Sequence, residues 1–407
     1  MDQRKPVLIM GVEPRITIPV ARSLHRLGVP VFVASLSSAD SVVHSRAVAG
    51  FFRLPDPVEK PGHFLNVLSG KVNATGADML IPVTDGALAA VSSHYETLNP
   101  LLHLACPPPE VVNRVLNKEA TLRIAQSAGV CVPREYVVLG GASPDIIREM
   151  AFPVIAKPRQ KSASEMFKIR YFRTPEELTA ALNDGVIEDA MVQEYCEGCG
   201  VGVEMLVQQG KCVAAFQHRR LREYPSAGGV AVTAVAESVD PQLADASLRL
   251  LRALEWDGVA MVEFRHDRRT GVAALMEVNG RYWGTVSLAL QAGIDFPRYQ
   301  WQLAHGQCPS VPEGYSVGMV WHWSAGSLKR WHEVLTGRGR VLQEYSLPGD
   351  MPDHRNKRNA LWSRQDPLPA LLEWLDTGNK LAHADAQALM RRILPQRAAR
   401  ASERLHT

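Results

Sequence analysis

Glu277, Asn279 and Arg281 recur at every second position of the stretch LMEVNGRYW, residues 275–283. In an extended chain they share one face, while Met276, Val278 and Gly280 suit the covered one. Upstream, the apolar runs 259–264 and 272–278 flank a polar turn that contains Gly271, a hairpin pattern. A turn centred near Thr270 sets Glu263 directly across from Glu277. Two facing carboxylates are unfavourable unless a cation neutralises them. Hard oxygen ligands from Glu263, Glu277 and the Asn279 amide suit magnesium, with manganese as the alternative ion. Magnesium keeps waters and shares its sphere with phosphate oxygens, so the hairpin points to a nucleotide. Arg281 is spaced to hold a phosphate or carboxylate with two parallel N–H groups. The plainer reading is an ion-pair ladder in which Arg281 and Arg265 only offset the acids. Two acids, an amide and an arginine in one hairpin favour the metal.

A nucleotide needs further contacts. Lys157 ends the apolar strand FPVIAKP, and a buried ammonium is costly unless it meets an anion such as phosphate. The small-residue loop that follows carries Ser162 and Ser164 and could turn backbone N–H groups onto phosphates, although it is poor in glycine. In AMVQEYCEG a strand runs into a turn, where Glu194, Tyr195 and Cys196 could offer main-chain groups to an adenine edge. Lys118, in NKEAT, is a further phosphate candidate, with a surface lysine as the plainer reading. In HRRLREYPSAGGV, residues 218–230, Arg219, Arg220 and Arg222 crowd a strand end. Arg219 and Arg222 are the favoured pair for clamping an acyl phosphate or a substrate carboxylate. A solvated basic strand edge is the alternative.

The elements that must carry these residues fall into three parts. Residues 1–105 alternate strand-like and helix-like patterns, the mark of a doubly wound α/β domain. Its Gly11 loop lacks a Gly-x-Gly-x-x-Gly fingerprint, so no dinucleotide site is read there. Strand ends in such sheets still face ligands, which brings in Glu13 to Arg15 and Thr84-Asp85, against simple helix capping by Thr84 or Asp85. The proline-rich break at Cys106 to Glu110 opens an α+β region, residues 106–310, with subdomains of about 106–191 and 192–310. Residues 311–407 carry five of the eight tryptophans and read as a helical appendix.

Net charge is +3, too near neutral to argue for nucleic acid or an anionic membrane. No stretch approaches the ~20 apolar residues of a membrane helix, and the apolar run at the start is too short for a signal sequence. Of six cysteines only Cys196 and Cys199 form a Cys-x-x-Cys pair. With no second pair to complete a zinc site they read as free thiols, and the cytoplasm is the expected compartment.

Taken in order, the helix lysine of NKEATLRIAQSAGVCVP, the strand lysine of VIAKP, VQEYCEG, VEF and MEVNGRYWG resemble the ATP-grasp superfamily. RLREYPSAGGVAVT, LEWDGVAMVEF and LALQAGIDFPRYQWQLAHG further resemble its bacterial carboxylate–amine ligase-like group. The resemblance covers residues of about 107–305 and brings with it the N-terminal α/β domain such proteins usually carry. It implies ATP held between two subdomains, with Lys118 and Lys157 on its phosphates. Glu194 and Cys196 would meet adenine through main-chain atoms, and magnesium would sit on Glu263, Glu277 and Asn279. The implied chemistry joins a small-molecule carboxylate to an amine through an acyl phosphate. A homodimer stays open as the assembly. The family usually has proline where Gly280 stands. It also expects a ribose-binding acid where Cys199 and Gly200 stand, for which Glu197 or Glu204 could substitute. Bicarbonate activation is the nearest alternative, although QEYCEG matches the Glu-Lys hinge of biotin carboxylases poorly. A non-catalytic nucleotide-binding module is the other.

Overall fold

The computed structural model describes residues 4–37, 40–136, 144–158, 169–185, 187, 190–226, 228–336 and 357–403, with side chains at the C-terminal end described to residue 385. Three sheets organise the chain.

The first is parallel, from β1 (Val7–Met10), β2 (Val31–Ser35), β3 (Gly50–Arg53), β4 (Met79–Pro82) and β5 (His103–Leu104), in the order β3-β2-β1-β4-β5. β1 and β4 are buried along their whole length, as continuous apolar runs in a sheet covered on both faces should be. The strand order reverses between β1 and β4, which opens a crevice at their C-terminal ends. Two helices start at that crevice. Pro14–Arg26 follows β1 with proline at its first position, where the missing N–H costs nothing. Asp85–Ser93 follows β4, and the Thr84 hydroxyl caps it by accepting from the Ala87 N–H at 3.1 Å.

The second sheet is antiparallel: β6 (Glu135–Tyr136), β7 (Val154–Pro158), β8 (Arg170–Phe172) and β9 (Ala190–Glu194), ordered β6-β9-β7-β8. It has a small core of its own around Val154, Ala156, Phe172, Leu178 and Val192.

The third sheet holds seven strands. They are β10 (Cys199–Gln208), β11 (Lys211–Tyr224), β12 (Val230–Glu237), β13 (Gly258–Asp267), β14 (Val272–Asn279), β15 (Val320–His322) and β16 (Lys357–Asn359). Their order is β14-β13-β10-β11-β12-β15-β16. A doubly wound α/β domain followed by two α+β layers is therefore the observed class.

The C-terminal region is more than a helical appendix. Its β15 pairs with β12 (Thr233 to His322, Val235 to Val320), and β16 extends the same sheet. Trp321, fully buried, donates its indole N–H to Ser287 Oγ at 2.7 Å. A three-residue strand is too short for period-two patterning to register, which is why the sequence hides it. Past it, the helices Ser324–Leu335 and Leu368–Glu403 return towards the N-terminal domain. There Asp366 accepts from Arg22 Nε at 3.0 Å and from Ser45 Oγ at 2.6 Å. Among the described residues no helix is long and apolar enough to cross a membrane.

Candidate active site

The β13–β14 hairpin sets the site. Its register places Glu263 opposite Glu277 and Asn279 opposite Met261, with an irregularity just after Glu263. The Asn279 amide donates to Glu277 Oε1 at 2.9 Å. Beyond the strand end, Arg281 makes a fork onto Asp85, Nε to Oδ1 at 3.1 Å and Nη2 to Oδ2 at 3.0 Å. Its Nη1 donates to the Tyr282 carbonyl at 2.9 Å. Asp85 is thus the residue of the N-terminal crevice that reaches the hairpin, and Thr84 is the helix cap.

The cation that faces Glu263 is Arg220. From β11 its guanidinium meets Glu263 Oε2, lies 3.4 Å from Glu223 Oε1 and donates to the Gly229 carbonyl at 2.8 Å. Both side chains of the Arg220–Glu263 pair are buried, at 10% and 13% exposure. Burial pushes the Glu263 carboxyl above its ordinary value; Glu277 and Glu223 add to that rise and Arg220 opposes it.

Arg219 and Arg222, the pair favoured from sequence, go elsewhere. Arg219 Nε bonds Glu237 Oε1 at 2.6 Å. Arg222 pairs in register with Thr233 and acts electrostatically on His322, whose imidazole is pushed down to about 4, first by burial. An irregularity between Arg220 and Arg222 breaks the simple alternation of β11. Up to Arg220 the register is regular, so Arg220 shares the cavity side with His218 two residues earlier, and the irregularity beyond it takes Arg222 out of that alternation.

Lys157 ends β7 with 8% exposure, its Nζ 4.0 Å from Met276 Sδ. Burial pushes this ammonium below its ordinary value, Lys118 reinforces the fall, and Glu277 and Glu263 resist it. The two lysines and two acids singled out from sequence therefore lie within electrostatic reach of one another. Cys196 joins them, its thiol pushed up to about 11 by burial, far from a reactive thiolate. All six cysteines are free thiols. The Glu194 N–H donates to the Arg134 carbonyl at 3.0 Å, and that of Tyr195 to the Pro153 carbonyl at 3.2 Å. The Glu194 carboxylate accepts from the Arg134 N–H at 2.8 Å. The N–H groups of Glu194 and Tyr195 are thus spent within the fold. Ser162 and Ser164 lie outside the described residues.

Neither substitute for a ribose acid is well placed. Glu197 is 69% exposed and pairs with Arg269 at 3.0 Å. Glu204 is fully buried, 2.7 Å from His218 Nδ1 and 3.3 Å from Thr285 Oγ1. Burial pushes the Glu204 carboxyl up and the His218 imidazole down to about 3, so the pair is held without net charge. His218 Nε2 is buried with no hydrogen-bond partner.

A cavity of about 320 Å³ lies between the hairpin and the N-terminal crevice. Glu263, Glu277 and Asn279 form one wall; Glu13, Arg15 and Asp85, from the crevice of the parallel sheet, form another. Arg220 and His218 also line it. Sequence reasoning passed over Arg220 and His218. The available signal was Gly200 and Gly202 on β10, which leave room for the side chains crossing from β11. Two carboxylates and an amide side by side suit a hard divalent cation. Among the described residues no group of three His, Cys, Asp or Glu is assembled, so phosphate oxygens and water would complete the shell.

Comparison with known proteins adds three results. The family described as "ATP-grasp in the biosynthetic pathway with Ter operon" matches residues 186–322. Curated protein sequences gave no match. Among solved structures, an L-amino acid ligase from Bacillus licheniformis superposes with a TM-score of 0.58 at 18% identity over 75% of each chain. Biotin carboxylase from Campylobacter jejuni, as its β,γ-ATP complex, gives 0.61 at 14% identity over 78% of this chain and 75% of its own. The biotin carboxylase domain of Hydrogenobacter thermophilus 2-oxoglutarate carboxylase, in complex with MgADP and bicarbonate, gives 0.60 at 16% identity over 78% and 74%. The three sheets and these likenesses agree on the ATP-grasp fold, and residues 186–322 match an ATP-grasp family.

Proposed function

We propose that the protein is an ATP-dependent ligase that joins a carboxylate to an amine through an acyl phosphate. The observation that carries the reading is the facing pair Glu263–Glu277, opening with Lys157 and Lys118 nearby onto a cavity whose far wall belongs to another domain. A substrate carboxylate oxygen attacks the γ-phosphorus of ATP; that O–P bond forms as the bond to the bridging oxygen breaks, and ADP leaves. The amine nitrogen then attacks the acyl carbon, the C–O bond to phosphate breaks, and loss of the amine proton leaves an amide and inorganic phosphate. No protein nucleophile is needed, because positioning and charge stabilisation suffice.

Lys118 and Lys157 hold the phosphates, and the Cys196 main chain meets the adenine edge. Glu263, Glu277 and Asn279 hold magnesium, which when bound offsets charge on the transferring phosphoryl group. Arg220 keeps Glu263 ionised and oriented. Arg281, fixed by Asp85, brings the N-terminal wall up to the hairpin and presents a cation beside the reacting groups. Arg219, neutralised by Glu237, and Arg222 are not assigned a role in this chemistry.

A screen for ADP and phosphate release against pools of carboxylates, with and without amines, tests the reading. Turnover that requires both supports it; turnover with bicarbonate alone replaces it with carboxylation. Glu277→Ala is expected to lower ATP turnover by more than about 100-fold with the melting transition kept. Full activity in that variant would remove the metal assignment.

A further inference from the structure

Arg15 stands in the first turn of the helix Pro14–Arg26, on the cavity wall opposite the hairpin. Its guanidinium is gripped from several directions. Nε donates to Glu13 Oε1 at 2.8 Å, and the guanidinium carbon lies over Trp323, 3.8 Å from the ring centroid. Gly284 keeps the approach to the other two nitrogens clear: a side chain there would begin 3.1 Å from Nη1 and 3.7 Å from Nη2. Trp323 is fixed in turn by its indole N–H, 3.0 and 3.1 Å from the two oxygens of Glu373, and Lys329 Nζ lies 5.0 Å from its ring. The Arg15 side chain is only 9% exposed. Among the described residues no acceptor meets Nη1 or Nη2, the two nitrogens left over after Glu13 is satisfied.

We infer that Arg15 anchors a non-reacting carboxylate on the amine substrate, so the amine partner is an amino acid or another amine that bears a carboxylate. This rests on the ligase reading above. A guanidinium locked by stacking offers parallel donors that match a planar carboxylate, and four of the five N–H donors of Arg15 remain after Glu13 takes one. The helix N-terminus and Lys329 add positive potential at the same place. The carboxylate to be activated belongs beside Glu263 and Glu277. An anion held by the N-terminal wall is therefore a second one, carried by the molecule that enters from that side. Trp323 is a positioning residue here: it belongs to the C-terminal region and sets the angle of Arg15.

The test uses the full chain with ATP, magnesium and a carboxylate pool, and compares three amines: hydroxylamine, amino acids, and the primary amides of the same amino acids. Hydroxylamine traps the acyl phosphate as a hydroxamate without needing a carboxylate of its own. Amino acids are expected to support ADP release with kcat/KM at least about tenfold above their amides. Arg15→Met should abolish that preference, chiefly through KM for the amine, and should lower amino-acid-dependent turnover about tenfold more than hydroxylamine-dependent turnover. Arg15→Lys and Trp323→Leu, milder in packing, should move the same ratio in the same direction. Equal use of acids and amides by the unaltered protein overturns the inference and leaves the ligase intact. So does a uniform loss with all three amines in the variants. Competition by inorganic phosphate against the amine, without any preference for acids, would assign Arg15 to phosphate and also overturns it. No hydroxamate and no amide from any pool sinks the ligase reading, and this one with it.

Discussion

Arg220 and Glu263 show what a single side chain contributes at the site. With the guanidinium gone, Glu263 would face Glu277 and Glu223 without its nearest cation, leaving Lys157 and Arg265 to offset the three acids. Arg220→Met is expected to lower stability by about 3–5 kcal/mol when magnesium is chelated, the usual cost of breaking a buried pair from one side. If Glu263 and Glu277 hold magnesium, the ion should restore more of the melting temperature in this variant than it adds to the unaltered protein. Thermal denaturation in EDTA and in magnesium measures both, and an equal magnesium increment in the two proteins would contradict the shared-metal arrangement. The two acids were legible in the sequence because a tight turn fixes the register of a hairpin. Arg220 was not. Regular alternation puts Arg220 on the face of His218, and only the irregularity beyond residue 220 separates Arg222 from them, which nothing in HRRLRE announces.

At the scale of elements, Gly280 follows β14 where the resemblance calls for proline. The Trp256 ring, 2% exposed and bonded through its indole N–H to the Val259 carbonyl at 3.2 Å, fills the space a side chain would take there. Glycine and tryptophan thus form a matched pair, one lacking the volume that the other supplies. Gly280→Ala should destabilise by roughly 1–3 kcal/mol through overpacking. In a Trp256→Leu background the same change should cost clearly less, and a double-mutant cycle by denaturant unfolding measures the difference. Additive effects would mean that the ring does not decide what residue 280 can be. The long antiparallel strands were readable from their alternation and the α/β segments from their period. Strands of two or three residues, such as β5, β15 and β16, carry too few positions for any pattern and are fixed by what they pack against.

For the whole molecule, the C-terminal region rests against the N-terminal crevice through Trp323 and Glu373. Burial pushes the Glu373 carboxyl up to about 7; the Trp323 indole opposes that rise and Glu13 adds to it. An acid with a raised folded value binds more protons folded than unfolded, here between its ordinary 4.5 and about 7. Stability should therefore fall as pH rises through that window and level off above it. The full shift would be worth roughly 3 kcal/mol, and a half-buried group in contact with water realises only part of that. Melting temperatures of the unaltered protein and of Glu373→Gln at pH 5 and pH 8 test it: the difference between the two proteins should change with pH in that direction. A constant difference would show that Glu373 titrates as it does in the unfolded chain. The order of domains could be read from the sequence because each stretch carries its own period. That Arg15 meets Trp323, or Arg22 meets Asp366, could not, because no local pattern joins residues more than three hundred positions apart.

The way β15 completes the seven-stranded sheet bears on how this protein could be cut or recombined. Residues 1–310 look on paper like a complete catalytic cassette, but ending the chain there would bare the edge of β12 and uncover the side that Trp321 now seals. A graft that exchanges the last hundred residues for a relative's would have to bring a matching strand and tryptophan, or the recipient sheet would offer its open edge to other chains.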